Sequence, residues 1–589
     1  MSKQTYRVCF CFRRRFRLTA AEAPPDVKAL FEAYSQSGVM SADDLRRFLV
    51  EVQAEASATA EEAQGIIDSL KHLHIFHRRG LDLEAFFKYL FSDANQPLDP
   101  KIGVHHDMTA PLSHYFIYTS HNTYLTGNQF SSDSSDVPIV RALQLGVRGI
   151  ELDLWPNSTK DNVDVLHGRT LTTPVPLIRC LRSIKNHAFS ASEYPVIITL
   201  EDHLTADLQA LVAEMIVQTF GEMLVTHPGS SLLGEFPSPE SLKRRIIIST
   251  KPPKEYLEGK EDKAKKSCTD SSSDDGAHPR EVPDLIPRND HDKDDDDDDD
   301  ANRDVTETDE DDEKDPKVRS QAAPQYRDLI AIPAGRGKGG IQAWLRVDPT
   351  KVRRISLSEQ KFEDAISGGY GQDIVRFTQK NILRIYPRAI RLDSSNYKPL
   401  CALMHGAQMV ALNMQGYGKS LWLMHGMFRA NGGCGYVKKP DFLLDADEVF
   451  DPKAELPVKT TLRVTVYMGE GWYYDFSHTH FDTYSPPDFR AKIAIVGVPA
   501  DKKKKKTKTI DDNWIPSWDE VFEFPLTVPE LALLRLQVSE EDVSGKTMFA
   551  GQTCLPVSEL REGIRAVPLY TRKGEKYKCV KLLLRFEFV

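Results

Sequence analysis

Long uncharged apolar stretches are missing from this chain of 589 residues. No segment approaches the ~18 consecutive apolar residues that a membrane-spanning helix needs. The first residues, MSKQTYRVCFCFRRRF, contain no continuous apolar core and no small-residue cleavage site, so we predict no secretory signal. Cysteine is scarce, with 8 residues at irregular spacing, which excludes a disulfide scaffold and predicts a reducing compartment.

Basic charge is in deficit overall, but one short segment causes the deficit. The formal net charge is −10. Residues 288–316 hold 17 acidic and 4 basic side chains, so the rest of the chain carries a net charge of +3. A block of like charge with few apolar residues cannot bury enough surface to fold. We therefore predict a disordered acidic linker over residues 251–325, which either shields a basic site or only keeps the chain soluble.

A helical segment is predicted to follow a flexible tail at residues 1–24. Over residues 25–98, apolar side chains recur at helical spacing, and Ser41 is placed to cap a helix. Helix–loop–helix pairs of this length predict an EF-hand-like lobe. The loop SQSGVMSADDL lacks the alternating carboxylates of a calcium loop, so we expect a metal-free brace. A nearby group, His72, His74 and His77, is more typical of a solvated helix face than of a metal site.

Strand-like and helical segments alternate over residues 105–250 and again over residues 326–443. The apolar runs include GIELDLW and PVIITLED in the first half, and NILRIYP and MVALNM in the second. Eight or nine strands in two halves predict one (β/α) TIM-like barrel, split by the acidic linker. After a second linker at residues 444–458, residues 459–589 lose the helical pattern and indicate an all-β sandwich. The predicted fold class is multidomain.

Polar side chains follow four consecutive predicted strands of the first barrel half. They are His121, Asn122, Glu151, Asp153, His167 and Glu201. Active sites of β/α barrels lie at the C-terminal ends of the strands, so we expect these side chains to converge. The oxygen ligands suit a hard cation such as Ca²⁺ or Mg²⁺, and the two imidazoles suit proton transfer. The set indicates phosphodiester cleavage, although each residue taken alone is more often structural.

Residue types that bind phosphate lie on the later strands. They are Lys251, Ser356, Arg384 and Tyr386. Arginine and lysine bind phosphate oxygens strongly, so a rim that also holds carboxylates indicates a polyanionic substrate. The alternative is a belt of surface salt bridges.

Longer motifs resemble those of phosphoinositide-specific phospholipase C. Four motifs resemble the X half of its barrel: SHNTYL at 120–125, RGIELDLW at 148–155, LHGRTL at 166–171 and ITLEDH at 198–203. Three motifs resemble its Y half: DSSNY at 393–397, QMVALNMQ at 408–415 and NGGCGYVKKPDFL at 431–443. The N-terminal lobe and the β sandwich resemble its EF-hand-like and C2 domains. The arrangement, without a pleckstrin-homology domain, resembles the plant form.

The resemblance implies a role for each candidate residue. His121 and His167 match the two catalytic histidines, one stabilising the pentacovalent phosphate and one acting as general acid. The implied calcium ligands are Asn122, Glu151, Asp153 and Glu201, and Glu151 is also a candidate acceptor of the inositol 2-hydroxyl proton. The implied headgroup-binding residues are Lys251, Ser356, Arg384 and Tyr386. The chain departs from the family at Ser249, where the family has a second lysine that grips the 4-phosphate.

The implied reaction is calcium-dependent hydrolysis of phosphatidylinositol 4,5-bisphosphate and related phosphoinositides to diacylglycerol and inositol trisphosphate. We therefore expect a monomeric cytoplasmic protein that signals at an anionic, phosphoinositide-containing membrane, on the inner face of the plasma membrane. Lys502–Lys506 form a basic run that suits such a surface. Candidate calcium ligands of the C2 domain are Asp482, Asp488, Glu540 and Asp542, and ordinary solvated loops are the alternative.

Two other functions fit part of the pattern. A glycerophosphodiester phosphodiesterase shares the barrel, the metal and a histidine pair, but it normally begins with His-Arg-Gly and lacks a C2 domain. A non-catalytic, calcium-responsive membrane scaffold would keep the fold but lack a catalytic residue, and none is missing here. Nucleic-acid binding is disfavoured because the basic residues are not part of a nucleic-acid module.

Overall fold

The computed structural model describes residues 3–7, 13–17, 21–70, 80–226, 234–251, 323–335, 339–541, 545 and 547–589. Nearly all of the predicted acidic linker, the three histidines between 72 and 77, and Asp542 lie outside the described residues. Among the described helices, none combines the length and the apolar character needed to span a bilayer.

The N-terminal residues, expected to be a flexible tail, contain an antiparallel pair of strands, β1 (Lys3–Arg7) and β2 (Arg13–Arg17). Tyr6 is 1% exposed and accepts a hydrogen bond from the indole N–H of Trp514 at 3.1 Å. Its ring also packs edge-on against Phe16. The pair therefore docks onto the C-terminal sandwich, because one aromatic side chain finds a buried site there.

The described part of the predicted helical lobe contains four short helices. They are α1 (Pro25–Tyr34), α2 (Ala42–Glu51), α3 (Ala60–Leu70) and α4 (Leu83–Leu90). Ser41 caps α2 as predicted: its hydroxyl accepts from the Asp44 N–H, and the Asp44 carboxylate accepts from the Ser41 N–H. The apolar faces of these helices share a core with Tyr467, Met468, Ile564 and Leu583 of the sandwich.

Strands and helices alternate through the central part of the chain. The first half contains β3 (Tyr115–Ile117), β4 (Thr119–Ser120), α5 (Val137–Gln144), β5 (Gly149–Pro156), β6 (Val163–Val165), β7 (Val175–Pro176), α6 (Leu177–His187), β8 (Val196–Asp202), α7 (Ala206–Phe220) and β9 (Ile246–Thr250). The second half contains α8 (Pro324–Asp328), β10 (Ile330–Pro333), α9 (Ile341–Trp344), β11 (Arg354–Ser358), α10 (Glu359–Ser367), α11 (Gly371–Lys380), β12 (Ile382–Tyr386), α12 (Pro399–Met404), β13 (Met409–Leu412), α13 (Lys419–Met427) and β14 (Tyr436–Lys438).

Eight of these strands form a closed parallel barrel. Their order is β10-β9-β8-β5-β4-β13-β12-β11, and a parallel bridge between Ala334 and Arg354 joins β10 back to β11. The Gly335 N–H donates to the Arg354 carbonyl at 3.1 Å across this closure. The two halves of the chain meet twice, where β4 pairs with β13 and where β9 pairs with β10, so one barrel contains residues from both halves. The C-terminal strand ends point to one rim, as the sequence predicted.

The C-terminal domain is a sandwich formed from one eight-stranded antiparallel sheet in the order β17-β16-β19-β20-β21-β22-β15-β18. Its elements are β15 (Thr460–Glu470), α14 (Trp472–Asp475), β16 (Phe489–Val496), β17 (Lys503–Lys506), β18 (Ser517–Leu526), β19 (Leu533–Glu541), β20 (Thr547–Pro556), β21 (Gly563–Tyr570) and β22 (Lys576–Phe588). Trp472, Trp518 and Phe586 are among its largest fully buried side chains.

Both other domains pack against this sandwich. The Arg565 guanidinium, 0% exposed, donates to Glu55 and to the Gln53 carbonyl in the helical lobe. On the barrel side, helix α13 lies on β20, and the Trp422 indole N–H donates to the Arg572 carbonyl at 2.7 Å. The rim of the barrel is thereby held in a fixed relation to the sandwich.

Candidate active site

His121 follows β4 at the rim of the barrel. Its Nδ1 lies 2.9 Å from Oδ1 of Asn413, an oxygen that can only accept, so Nδ1 carries the proton and Nε2 is free. Its ring lies parallel to that of Tyr386, with the centroids 6.3 Å apart. Burial lowers the pKa of His121, although the nearby Glu151 carboxylate acts in the opposite sense. A neutral imidazole with a fixed tautomer is thus presented to the site.

His167 lies after β6 and has the same tautomer by a different contact. Its Nδ1 donates to the Gln129 carbonyl at 2.7 Å, which leaves Nε2 free. Gln129 also connects the two histidines, because its side-chain amide donates to Asn413 at 3.1 Å. His167 is near enough that a positive charge on it would disfavour protonation of His121.

Three carboxylates converge at the same rim. Glu151 and Asp153 lie on β5 and Glu201 on the neighbouring β8, and one oxygen from each lies within 4.8 Å of the others. Glu151 is paired with Arg384 and also accepts from the Asn122 N–H at 3.1 Å. This close grouping of like charge is unfavourable unless a cation compensates it.

Asp153 and Asn122 each retain an oxygen for such a cation. Asp153 is 3% exposed, and while its Oδ2 accepts from the Tyr124 hydroxyl at 2.7 Å, its buried Oδ1 has no hydrogen-bond partner among the described residues. Burial, together with repulsion from Glu201 and Glu151, raises the pKa of the Asp153 carboxyl well above its usual range. The Asn122 amide nitrogen donates to Gln129 at 2.9 Å, so its carbonyl oxygen is the atom left over. These all-oxygen donors fit a hard divalent cation such as Ca²⁺.

The predicted phosphate-binding residues lie around the same rim. Arg384 is 3% exposed, and its Nε has no hydrogen-bond partner in the described part of the chain. Its guanidinium lies 5.3 Å from the centroid of the Tyr386 ring. Ser356, on β11, accepts a hydrogen bond from Arg354 at 2.6 Å. Lys251 is exposed directly after β9, where its charge acts on Glu201.

The predicted calcium ligands of the C2 domain are only partly brought together. Burial, followed by the charges of Asp511, Asp512 and Asp482, raises the pKa of Asp488, so these acids lie close to one another. Glu540 is buried on β19, opposite Phe489. Within the described residues, it does not join Asp482 and Asp488 in a close group of three ligand atoms.

Sequence reasoning missed several residues that position the site. Asn413 and Gln129 fix the tautomers of the histidines, Tyr124 holds Asp153, and Arg354 binds Ser356. Asn413 directly follows β13, so its strand-end position was a usable signal. Asp511 and Asp512 were visible as paired acids between predicted strands.

Four family models match consecutive parts of the chain. They are "Phosphoinositide-specific phospholipase C, efhand-like" at residues 20–100, "Phosphatidylinositol-specific phospholipase C, X domain" at 108–252, the corresponding "Y domain" at 346–442, and "C2 domain" at 460–571. The order of these matches agrees with the domain order described above.

Known proteins resemble the chain over nearly its full length. Phosphoinositide phospholipase C 2 of Arabidopsis thaliana is 64% identical over 592 residues, covering 100% of both chains. The 1-phosphatidylinositol 4,5-bisphosphate phosphodiesterase delta-3-A of Danio rerio is 33% identical and covers 96% of this chain and 69% of its own. The crystal structure of L. pealei PLC21 superimposes with a TM-score of 0.72 at 24% identity, covering 96% of this chain and 68% of that one, which supports the fold.

Proposed function

The chain belongs to the phosphoinositide-specific phospholipase C family, and from that premise we propose that the rim between β4 and β8 carries out its reaction. The enzyme is a phosphoric diester hydrolase that cleaves phosphatidylinositol 4,5-bisphosphate and related phosphoinositides to diacylglycerol and a phosphorylated inositol. The observation that carries the assignment is the partnerless oxygen of Asp153 inside a triad of carboxylates, beside two histidines with free Nε2 atoms.

The inositol 2-hydroxyl is the nucleophile, and it attacks the adjacent phosphorus. We assign His121 and His167 to the two ends of this displacement, one stabilising the charge on the phosphate and the other protonating the departing glycerol oxygen. The hydrogen bonds to Asn413 and to the Gln129 carbonyl hold both Nε2 atoms toward the substrate. Glu151 is the candidate acceptor of the 2-hydroxyl proton.

Asn122, Glu151, Asp153 and Glu201 are the residues that would hold Ca²⁺. When bound, the ion supplies positive charge that offsets the negative charge developing on the phosphate and acidifies the attacking hydroxyl. Lys251, Ser356, Arg384 and Tyr386 would bind the headgroup, since they combine cationic, hydroxyl and aromatic groups at one rim.

The substrate is a lipid, so we further propose that the sandwich brings the barrel to an anionic membrane as a peripheral protein. The exposed lysines of edge strand β17 support this, because basic side chains near such a surface each contribute about 1 kcal/mol. The acidic cluster around Asp488 is the proposed calcium-responsive part of the same domain.

Turnover of phosphatidylinositol 4,5-bisphosphate in mixed vesicles, measured across calcium concentrations, tests the proposal. His121→Ala and His167→Ala should each reduce kcat by several orders of magnitude while the circular dichroism spectrum and Tm stay unchanged. His187→Ala, at the end of α6 on the opposite face of the barrel, is the matched control and should retain wild-type turnover. Near-wild-type rates in either rim variant would refute the site.

A further inference from the structure

Arg354 is a buried cation inside the barrel. On β11, Ile355 and Leu357 belong to the hydrophobic core that contains Phe362 and Ile374 of the outer helices. Side chains alternate along a strand, so Arg354 and Ser356 point inward. Arg354 is 3% exposed, although arginine is almost never fully buried without a paired charge.

Two neutral hydroxyl groups hold this guanidinium. Its Nε donates to Ser249 Oγ on β9 at 2.8 Å, and its Nη1 donates to Ser356 Oγ at 2.6 Å. Ser249 in turn donates to the Ile332 carbonyl at 2.9 Å, which fixes the orientation of its hydroxyl. Although Arg354 begins β11, the guanidinium therefore reaches the level of Ser356, which we assigned to the headgroup.

Among the described residues no carboxylate forms an ion pair with Arg354, and the hydrogen bonds of its guanidinium go to Ser249 and Ser356. Burial, and then the charge of Arg384, lowers the pKa of Arg354 to about 9. The nearby Glu151 carboxylate instead forms an ion pair with Arg384. A buried charge held only by hydroxyls is costly, and an anionic ligand is the group that would compensate it.

Ser249 stands where the resemblance places a phosphate-gripping lysine, and the guanidinium bonded to it comes from a different strand. We propose that Arg354 takes over the role of that lysine and binds a ring phosphate of the phosphoinositide headgroup, beside Lys251 and Arg384. In this proposal, the positive charge that the family places on β9 is supplied from β11 and occupies the same part of the pocket. This inference rests on the proposed function, and it makes Arg354 a determinant of preference for phosphorylated headgroups.

The test compares kcat/KM for phosphatidylinositol 4,5-bisphosphate with kcat/KM for phosphatidylinositol in the same vesicles. Arg354→Gln keeps a hydrogen-bonding side chain but removes the charge. The ratio of the two values should fall at least tenfold, which is the size expected for losing a charge-assisted hydrogen bond to phosphate. An equal fall for both lipids would mean that Arg354 only braces the barrel, and would overturn the proposal.

A second variant, in which the charge is moved to another strand, tests the proposal even if Arg354→Gln folds poorly. In Ser249→Lys/Arg354→Gln, the cation returns to β9, and the ratio should recover to within threefold of wild type. Arg354→Lys, which keeps a charge on β11, should also retain most of the preference. A double variant with wild-type Tm and a ratio still depressed tenfold would contradict the proposal. Absence of calcium-dependent turnover of both lipids by the wild type would instead refute the proposed function.

Discussion

At the rim, single residues that are proposed to bind calcium lower the stability of the calcium-free protein. Asp153 is buried between Glu151 and Glu201, and these surroundings raise its pKa. Such a group makes the folded protein less stable above its ordinary pKa of 3.8, because the unfolded chain ionises it freely. We therefore expect Asp153→Asn to stabilise the calcium-free protein while abolishing turnover.

The expected gain is about 1 kcal/mol, or about 2–4 °C in Tm for a domain of this size. Calorimetry in the presence of a calcium chelator measures it. In excess calcium the order should reverse, because the wild type gains binding free energy that the variant lacks. A lower Tm for Asp153→Asn in chelator would contradict this account of the carboxylate triad.

From the sequence, the polar residues at the strand ends were easier to predict than the residues that form hydrogen bonds to them. His121, Glu151 and Asp153 could be recognised because strand ends and alternation on a strand are local properties. Asn413 lies 292 positions from its partner His121, and no local pattern states that pairing. Arg354 was missed because an arginine at the start of a strand gives no sign of being buried.

At the scale of elements, α13 couples the barrel to the sandwich through a close backbone approach. A Cβ atom added at Gly426 would lie 2.4 Å from Cys554 Cβ and 2.8 Å from the Cys554 carbonyl oxygen. Gly426→Ala must therefore displace the helix from β20, and we expect a loss of about 1–3 kcal/mol in unfolding free energy. Chemical denaturation measures the change.

Gly65→Ala on α3 is the matched control for this substitution. Its added Cβ would meet nothing within 4 Å, so only helix propensity changes, and stability should rise by roughly 0.5–1 kcal/mol. Equal effects of the two substitutions would show that the α13 contact contributes nothing.

His425, also on α13, makes the stability of the protein sensitive to acid. Burial, followed by the charge of Arg429, lowers its pKa to about 4, and its Nδ1 is hydrogen-bonded to the Tyr118 hydroxyl. The unfolded chain takes up this proton near the ordinary value of 6.5. Stability from neutral His425 is thus fully present above pH 6.5 and is lost as the pH falls from 6.5 to about 4.

The full loss amounts to about 3 kcal/mol. Denaturation at a series of pH values should show a shallower acid dependence for His425→Gln than for the wild type. His114, whose pKa burial likewise lowers to about 4, remains in both proteins and contributes to the residual slope. Identical pH profiles would refute the assignment.

Elements were predictable where period and length agreed, as in the four helices of the lobe and the strands of the barrel. The N-terminal strands could not be predicted, because three consecutive arginines suggest a solvated segment. The strands form because Tyr6 is buried against Trp514. That partner lies 508 positions away in the sequence.

The whole molecule places a basic edge strand on the domain proposed to contact lipid. Lys503, Lys504 and Lys506 of β17 are exposed. Replacing the three with glutamine should weaken binding to vesicles containing anionic lipid by about two orders of magnitude at low salt, from about 1 kcal/mol per lysine. Sedimentation with vesicles measures this loss.

A control variant of equal charge replaces three other exposed lysines, Lys573, Lys576 and Lys578. Lys573 lies in the turn before β22, and the other two lie at the start of that strand. Their replacement should have a smaller effect if β17 faces the bilayer. Equal losses from the two triple variants would mean that net charge alone, and not β17, drives binding.

Domain order was predictable at this scale, since each composition change marks a new architecture. The domain interfaces could not be predicted, because Arg565 and Gly426 contact residues in other domains that are distant in sequence. The rim, however, is built within one barrel from strands of both halves.

Diffraction from crystals grown with calcium, recorded with an anomalous signal or with a lanthanide in its place, would show whether the rim binds a cation and through which side chains. One ion should lie at the rim, bound by oxygens of Asn122, Glu151, Asp153 and Glu201, with His121 and His167 beside it but not bound to it. An ion ligated by either imidazole, or no ion at this rim at saturating calcium, would refute the proposed calcium site.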